Sequence, residues 1–170
     1  STQFDLGWRA MMAAKLGLGE SEQDDDGRLV SDLLDLLTGT ETDMTIFFRR
    51  LADVHLDPLA ECDTLDARVM QPLMTAYYTP DTLPEDHICT TLVWLGRYAH
   101  RIRSAGIPDR IRRKQMNRVN PKYVIRNYLV QLAIDKAEQG DSSMVNELLE
   151  LSRRPYDEQP TMEQYARKRP

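Results

Sequence analysis

Cysteine is scarce: the 170 residues contain two, Cys62 and Cys89. Neither sits in a CxxC pair or beside a histidine, so spacing excludes a disulfide framework and a Cys/His zinc site. Two reduced, partly buried thiols are the expectation. No apolar run approaches the roughly 20 residues a membrane span requires, and no signal-peptide pattern opens the chain. The expectation is therefore a soluble protein of a reducing compartment. Aromatic residues make up only 7%, and none falls in a Gly-rich nucleic-acid motif. HExxH, GxxxxGK[ST], GxGxxG and GxSxG are all absent, which removes support for a helix-borne zinc site, a phosphate cradle or a nucleophile elbow. His55, His87 and His100 lie far apart and share no ligand spacing. Asp24-Asp25-Asp26-Gly27 lacks the spaced oxygens and closing glutamate of a calcium loop, and reads as a solvated acidic turn. The chain opens Ser-Thr-Gln without a methionine, which suits a trimmed piece of a longer protein.

What is present is enough for one sizeable core without cross-links. The net charge of −5 conceals an asymmetry. The first 90 residues hold 18 acidic and 6 basic side chains, and the last 80 hold 9 and 16. Within 97–126 there are ten Lys or Arg against Asp109 alone. Such a segment can face nucleic acid or another polyanion. It can equally pack beside the acidic helices or against a further domain. The second is the expectation, because no aromatic residue interleaves with these charges in a nucleic-acid motif.

Apolar periodicity gives helices and no strands. Phe4, Trp8, Met11 and Met12 fall on one helical face, closed by Gly17 and Gly19, and an acidic connector spans 20–27. Leu29, Val30, Leu33, Leu34 and Leu37 make a second helix that stops at Gly39. Thr42 or Asp43 can cap a third, with Ile46, Phe47 and Leu51 turned inward. The stretch 55–64 is irregular, and Leu65, Val69, Leu73 and Met74 suggest a fourth helix kinked by Pro72. A connector over 79–84 leads to a long helix, opened by Glu85 or Asp86 and ended by Gly106 and Pro108. Its Trp94 and Tyr98 read as core, although with Arg101 they could form a stacking platform. A short basic helix spans 109–119.

Asn120 can then cap, and Pro121 can start, a helix over 122–139. Val124, Tyr128 and Leu132 recur at i+4 beside Ile125, Leu129 and Ala133, so this is expected to be the buried central helix. Arg126 within it needs an anionic or carbonyl partner once buried, and a carboxylate of the acidic half can supply one. Gly140 closes the helix, Asp141 caps the next over 142–153, and the chain beyond Pro155 is expected to lie extended. The fold class is all-α, a single multi-helix domain of about seven helices with short connectors.

The block Asn120-Pro121-Lys122-Tyr123-Val124-Ile125-Arg126-Asn127-Tyr128-Leu129, with Gln131, Gly140-Asp141 and Arg154-Pro155-Tyr156-Asp157-Glu158-Gln159-Pro160, resembles the C-terminal part of the selenoprotein O family. Lys15-Leu16-Gly17-Leu18 and Phe48-Arg49-Arg50-Leu51 resemble its pattern too, so the likeness touches nearly the whole chain. The resemblance implies that 1–170 is the helical C-terminal domain of a protein adenylyltransferase with a kinase-like fold. Such an enzyme transfers AMP from ATP, with Mg2+ or Mn2+, to hydroxyl side chains of protein substrates. It places the catalytic lysine, the metal-binding Asn and Asp and the phosphate-holding arginines upstream. No catalytic, cofactor-binding or metal residue is therefore expected here, nor activity from this chain alone.

The family's redox-active Cys or selenocysteine has no match in Cys62 or Cys89. The implied partners are the kinase-like lobe of the same polypeptide and the protein substrates, with no membrane and no nucleic acid. The implied location is the cytoplasm for a bacterial source and the mitochondrion for a eukaryotic one. Asn120, Pro121, Tyr123, Arg126, Asn127, Tyr128, Arg154, Pro155 and Tyr156 are the candidate structural or contact residues. The alternative is a stand-alone helical module that binds a polyanion or a protein through 97–126.

Overall fold

Aspartate and glycine set several helix boundaries in the structure, a computed structural model that describes residues 3–19, 25–56 and 66–169. Helix α1 (Gln3–Leu16) ends at Gly17, whose φ of +66° suits glycine. A Cβ there would come within 3.0 Å of Cγ of both Arg112 and Met116, so the bare backbone also sets how closely α1 and the helix that carries those two residues approach. Helix α2 is Asp26–Gly39. Asp43 caps α3 (Met44–Leu51), its Oδ1 accepting the Ile46 N–H at 3.0 Å. The long helix α4 (Glu85–Ser104) and the basic α5 (Asp109–Val119) follow, then α6 (Asn127–Glu138) and α7 (Ser143–Arg153). Gly140 takes a φ of +87° in the α6–α7 turn, and the Asp141 carboxylate accepts the Ser143 N–H at 2.9 Å.

The described residues thus hold seven α-helices and no strand; a lone antiparallel bridge pairs Thr42 with Tyr77. The all-α, single-domain expectation holds. No helix among the described residues is long and apolar enough to cross a membrane. The expectations for the connector 20–24, for Cys62, and for 57–65 lie outside the described residues.

The core is organised differently from the sequence expectation. The central helix is α4, with Leu92, Trp94, Leu95, Tyr98, Ala99 and Ile102 buried among α1, α2, α3 and α5. Trp94 and Tyr98 stack at 5.1 Å inside it, so they are core and not a platform. The stretch expected to be central forms a second, smaller cluster of Tyr123, Leu129, Ala133, Met144, Leu148, Leu151 and Tyr165. Helix α6 starts at Asn127 and not at Pro121, and residues 123–126 are non-helical. Val124, Ile125 and Leu132 are therefore exposed. The reason is hydrogen bonding at long range: the Asn120 amide is committed to Lys15, and the N–H groups of Lys122 and Tyr123 both donate to the Pro155 carbonyl.

Four further expectations are corrected. The fourth helix is a 3-10 helix, Ala67–Ala76, whose tighter i→i+3 winding accommodates the missing N–H of Pro72. Phe4, Trp8 and Met11 are exposed; of α1, Met12 and Leu16 are buried in the core and Ala13 packs against it. Beyond Pro155 the chain is not simply extended: Pro160–Ala166 winds as a 3-10 helix that buries Tyr165. Cys89 is exposed, because it shares the outer side of α4 with Val93 at i+4 while His87, Thr91 and Trp94 face inward.

Candidate functional site

Four of the nine sequence-selected residues, Asn120, Pro121, Tyr123 and Pro155, converge on a junction between the two clusters. Asn120 is fully buried there. Its Nδ2 donates to the Lys15 carbonyl at 2.8 Å, its Oδ1 accepts from Lys15 Nζ at 3.2 Å, and its own carbonyl accepts Arg49 Nη1 at 3.0 Å. Arg49 also donates to the Asn117 carbonyl and reaches Glu158 at 2.8 Å. Burial pulls the Lys15 ammonium below its ordinary range. Pro121 is half-buried, and beyond it the Lys122 and Tyr123 N–H groups hold the Pro155 carbonyl at 2.9 and 3.1 Å. The buried Tyr123 hydroxyl donates to the Gln159 carbonyl at 3.0 Å and accepts the Gln159 N–H. Lys122 pairs with Glu158 at 2.5 Å and with Glu163. Those pairings, Lys122 first and then Arg49, hold the Glu158 carboxyl below its ordinary range against the opposing effect of burial.

The structure therefore brings together Asn120, Pro121, Tyr123 and Pro155. Arg126 sits apart, where its Nη2 meets Asp43 Oδ2 at 2.6 Å. The carboxylate of the acidic half is found, although Arg126 precedes α6 and does not lie within it. Asn127 is exposed as the first residue of α6, and Tyr128 leans on the second cluster. Arg154 and Tyr156 are exposed, with the Arg154 carbonyl accepting Gln159 Nε2 at 2.8 Å. These contacts form a clasp of hydrogen bonds and ion pairs that joins Lys15, Arg49, Asn120 and Glu158.

Most of the basic stretch is engaged within the chain. Arg97 meets Asp32 at 2.5 Å, and Arg101 grips the buried Asp26 through Nε at 2.6 Å and Nη2 at 3.0 Å. Asp26 is therefore not part of a solvated turn. Arg112, the most deeply buried charge, bonds Asp109 and the carbonyls that end α3. Arg113 meets Asp53 at 2.7 Å. Arg110, Lys114 and Arg118 are the exposed exceptions on α5.

Sequence reasoning missed Arg112, whose signal was an arginine at the inward-facing i−4 position from Met116. It also missed a groove of about 820 Å³ between α1, the start of α2 and the end of α5, lined by Leu6, Trp8, Met12, Val30, Arg118 and Val119. No group of three or more His, Cys, Asp or Glu able to hold a metal occurs among the described residues. The buried carboxylate of Asp26 and the largely buried one of Asp43 each face a guanidinium, so neither fits a divalent cation.

Among the described residues the arginines Arg49, Arg101, Arg112 and Arg126 each meet a carboxylate of the same chain. Comparison with known proteins places it more closely. Residues 1–153 match the family described as "Protein adenylyltransferase SelO". The protein nucleotidyltransferase YdiU of Rhodopirellula baltica is 49% identical over 172 residues, covering 99% of this chain and 32% of that protein. The YdiU proteins of Nitrosospira multiformis and Aromatoleum aromaticum are 39% and 44% identical, each over 98% of this chain and 32% and 30% of their own lengths. The chain belongs to the SelO family of nucleotidyltransferases. It spans about a third of the length of the curated relatives it matches.

Proposed function

We propose that this chain is the helical C-terminal region of a SelO-type protein adenylyltransferase, and that it supports the reaction without carrying it. The observation behind this reading is the family match over 1–153, combined with coverage of only about a third of each relative. The parent protein transfers AMP from ATP, with magnesium or manganese, to protein hydroxyl groups. None of the described residues fits the metal, and no step of the reaction is assigned to them. The clasp around Asn120 holds the α6–α7 hairpin against the main core, and a rigid unit of this kind can position a neighbouring catalytic lobe or recruit a protein substrate. Nucleotidyl transfer depends on positioning and electrostatic clamps held by the catalytic part, so this chain alone is inactive.

The test is incubation with ATP labelled at the α-phosphate, Mg2+ or Mn2+, and a general protein substrate. The full-length polypeptide should label protein and the 170 residues alone should not. Robust labelling by the isolated chain would sink the proposal. A polyanion-binding module is the weaker reading, because Arg97, Arg101, Arg112, Arg113, Lys122 and Arg126 already meet carboxylates of this chain.

A further inference from the structure

The last described residues leave the second cluster and cross to the main core. Tyr165 is buried in the second cluster, and three residues later Lys168 donates through Nζ to the Tyr77 carbonyl. Arg169 Nη2 meets Glu41 Oε1 at 2.7 Å. Both cations also lie over the Tyr78 ring, the Lys168 ammonium and the Arg169 guanidinium each 5.4 Å from its centroid. A carbonyl, a carboxylate and an aromatic face are together suited to hold a Lys-Arg pair in an extended segment.

The receiving groups stand on a fixed frame. The Tyr78 N–H donates to the Glu41 carbonyl at 3.0 Å and the Asp43 N–H to the Ala76 carbonyl at 2.8 Å, on either side of the Thr42–Tyr77 bridge. The Tyr77 ring is buried, packed edge-to-face with Phe47 at 6.5 Å and with His87 at 5.5 Å. None of these contacts involves the tail. The tail itself is held weakly: Glu41 and Arg169 keep 60% and 63% of their side-chain exposure, and none of residues 166–169 is buried. Exposed ion pairs and exposed cation–ring contacts each contribute little, so the tail can leave without opening either core.

We propose that the face made by Tyr77, Tyr78 and Glu41 is a binding site for an extended basic segment of another protein, with Lys168 and Arg169 as its built-in competitor. An incoming Lys-Arg pair takes the same three groups, and the displaced tail turns about the anchored Tyr165. The charge of the first 90 residues, 18 acidic side chains against 6 basic, favours a cationic partner at this face. The site goes beyond AMP transfer and stands without it.

Anisotropy of a fluorescein-labelled Ala-Arg-Lys-Arg-Pro peptide, the sequence of residues 166–170, added to the full-length polypeptide tests the proposal. A tethered tail competes at an effective concentration of about millimolar, so a peptide of about 100 µM intrinsic affinity is weakened roughly tenfold. Lys168→Ala/Arg169→Ala removes the competitor and should tighten peptide binding about tenfold. Adding Glu41→Lys to that variant should weaken binding at least tenfold, and adding Tyr78→Leu instead should weaken it severalfold. A neutral Ala-Gln-Gln-Gln-Pro peptide should not bind.

Equal peptide affinity for the unsubstituted protein and the tail variant would overturn the proposal. So would a folded tail variant that binds no peptide. Binding that survives Glu41→Lys assigns the peptide to the acidic surface at large and overturns it too. A tail variant that unfolds, read by its urea midpoint, would make the tail a support and not a displaceable competitor, with the same consequence.

Discussion

Arg112 Nη2 donates to the Val54 carbonyl at 2.7 Å, across 58 positions of sequence, from a side chain only 1% exposed. Nη1 of the same guanidinium reaches the Leu51 carbonyl, the Tyr98 hydroxyl and Met116 Sδ, while Nε is held by Asp109. One side chain thus satisfies the carbonyls that α3 leaves open at its C-terminus and ties them to α4 and α5. Burial pushes the Tyr98 phenol up to about 12, against the pull of Arg112, so it stays a neutral donor to the Leu16 carbonyl.

Arg112→Met keeps the apolar stem but strands these acceptors. It should lower unfolding free energy by about 3–5 kcal/mol, read by urea denaturation. Arg112→Lys keeps the charge without the fork of donors and should recover less than half of that loss. A loss below about 1 kcal/mol for Arg112→Met would mean that water replaces the guanidinium.

Local signals placed most helices, and non-local bonds account for the failures. The span of α5 was legible because Pro108 and Asp109 start it and a stretch rich in Arg and Lys, interrupted only by Ile111 and Met116 among apolar residues, runs to Val119. At Asn120-Pro121 the same kind of signal pointed the wrong way. The Asn120 amide could have capped a helix, but Lys15, 105 positions earlier, takes it. No periodicity rule sees that competition. The clasp was legible only as a family pattern: Lys15, Arg49, Asn120 and Pro155 lie in separate blocks of that pattern and meet in the fold. The exposure of Phe4, Trp8 and Met11 was not legible, because their spacing marks one helical face without saying what covers it.

Asp43 performs two tasks with its two oxygens, capping α3 through Oδ1 and pairing with Arg126 through Oδ2. Asparagine caps as well as aspartate does, so Asp43→Asn removes the charge and keeps the cap. Asp43→Ala loses both and should be less stable than Asp43→Asn by about 1 kcal/mol. Arg126→Ala should cost about 3 kcal/mol, the lower end for a buried pair, because the arginine side chain keeps 15% exposure. A double-mutant cycle of Arg126→Ala with Asp43→Asn should show the two losses to be strongly non-additive. Additive losses would mean that the two side chains do not interact in solution.

His87 gives the fold a pH dependence of defined sign. It is buried in the first turn of α4, its Nε2 3.4 Å from both the Tyr77 hydroxyl and Thr40 Oγ1. Burial lowers its pKa, and the Asp86 carboxylate opposes that only in part. The positive end of the helix also disfavours a charged imidazole there. The folded state therefore resists a proton that the unfolded chain accepts below its ordinary value of about 6.5. Stability is full above that value and falls as the pH drops toward the folded pKa. His87→Gln should flatten this slope in urea titrations below about pH 6.5. A wild-type slope that persists in His87→Gln would assign it to another group.

Tyr123 tests whether the clasp or the second core holds the C-terminal segment. Its ring is buried with Leu129, Leu148 and Tyr165, and its hydroxyl both donates to and accepts from the backbone of Gln159. Tyr123→Phe removes only the hydroxyl, at a cost of about 1–2 kcal/mol for the stranded carbonyl and N–H of Gln159. Tyr123→Ala also empties the core, at about 3–5 kcal/mol. Amide exchange separates the two contributions, because local opening is read residue by residue. In Tyr123→Phe, exchange should quicken at Gln159 and Met162, which lie beside the lost bonds, while the α6 amides keep their rates. The ring would then anchor the hairpin and the hydroxyl would anchor the tail. Equal acceleration along α6 and the tail would instead make them one cooperative unit, tied to the main core by the pairs Arg49–Glu158, Arg126–Asp43 and Arg169–Glu41 and by the bond from Lys168 to the Tyr77 carbonyl.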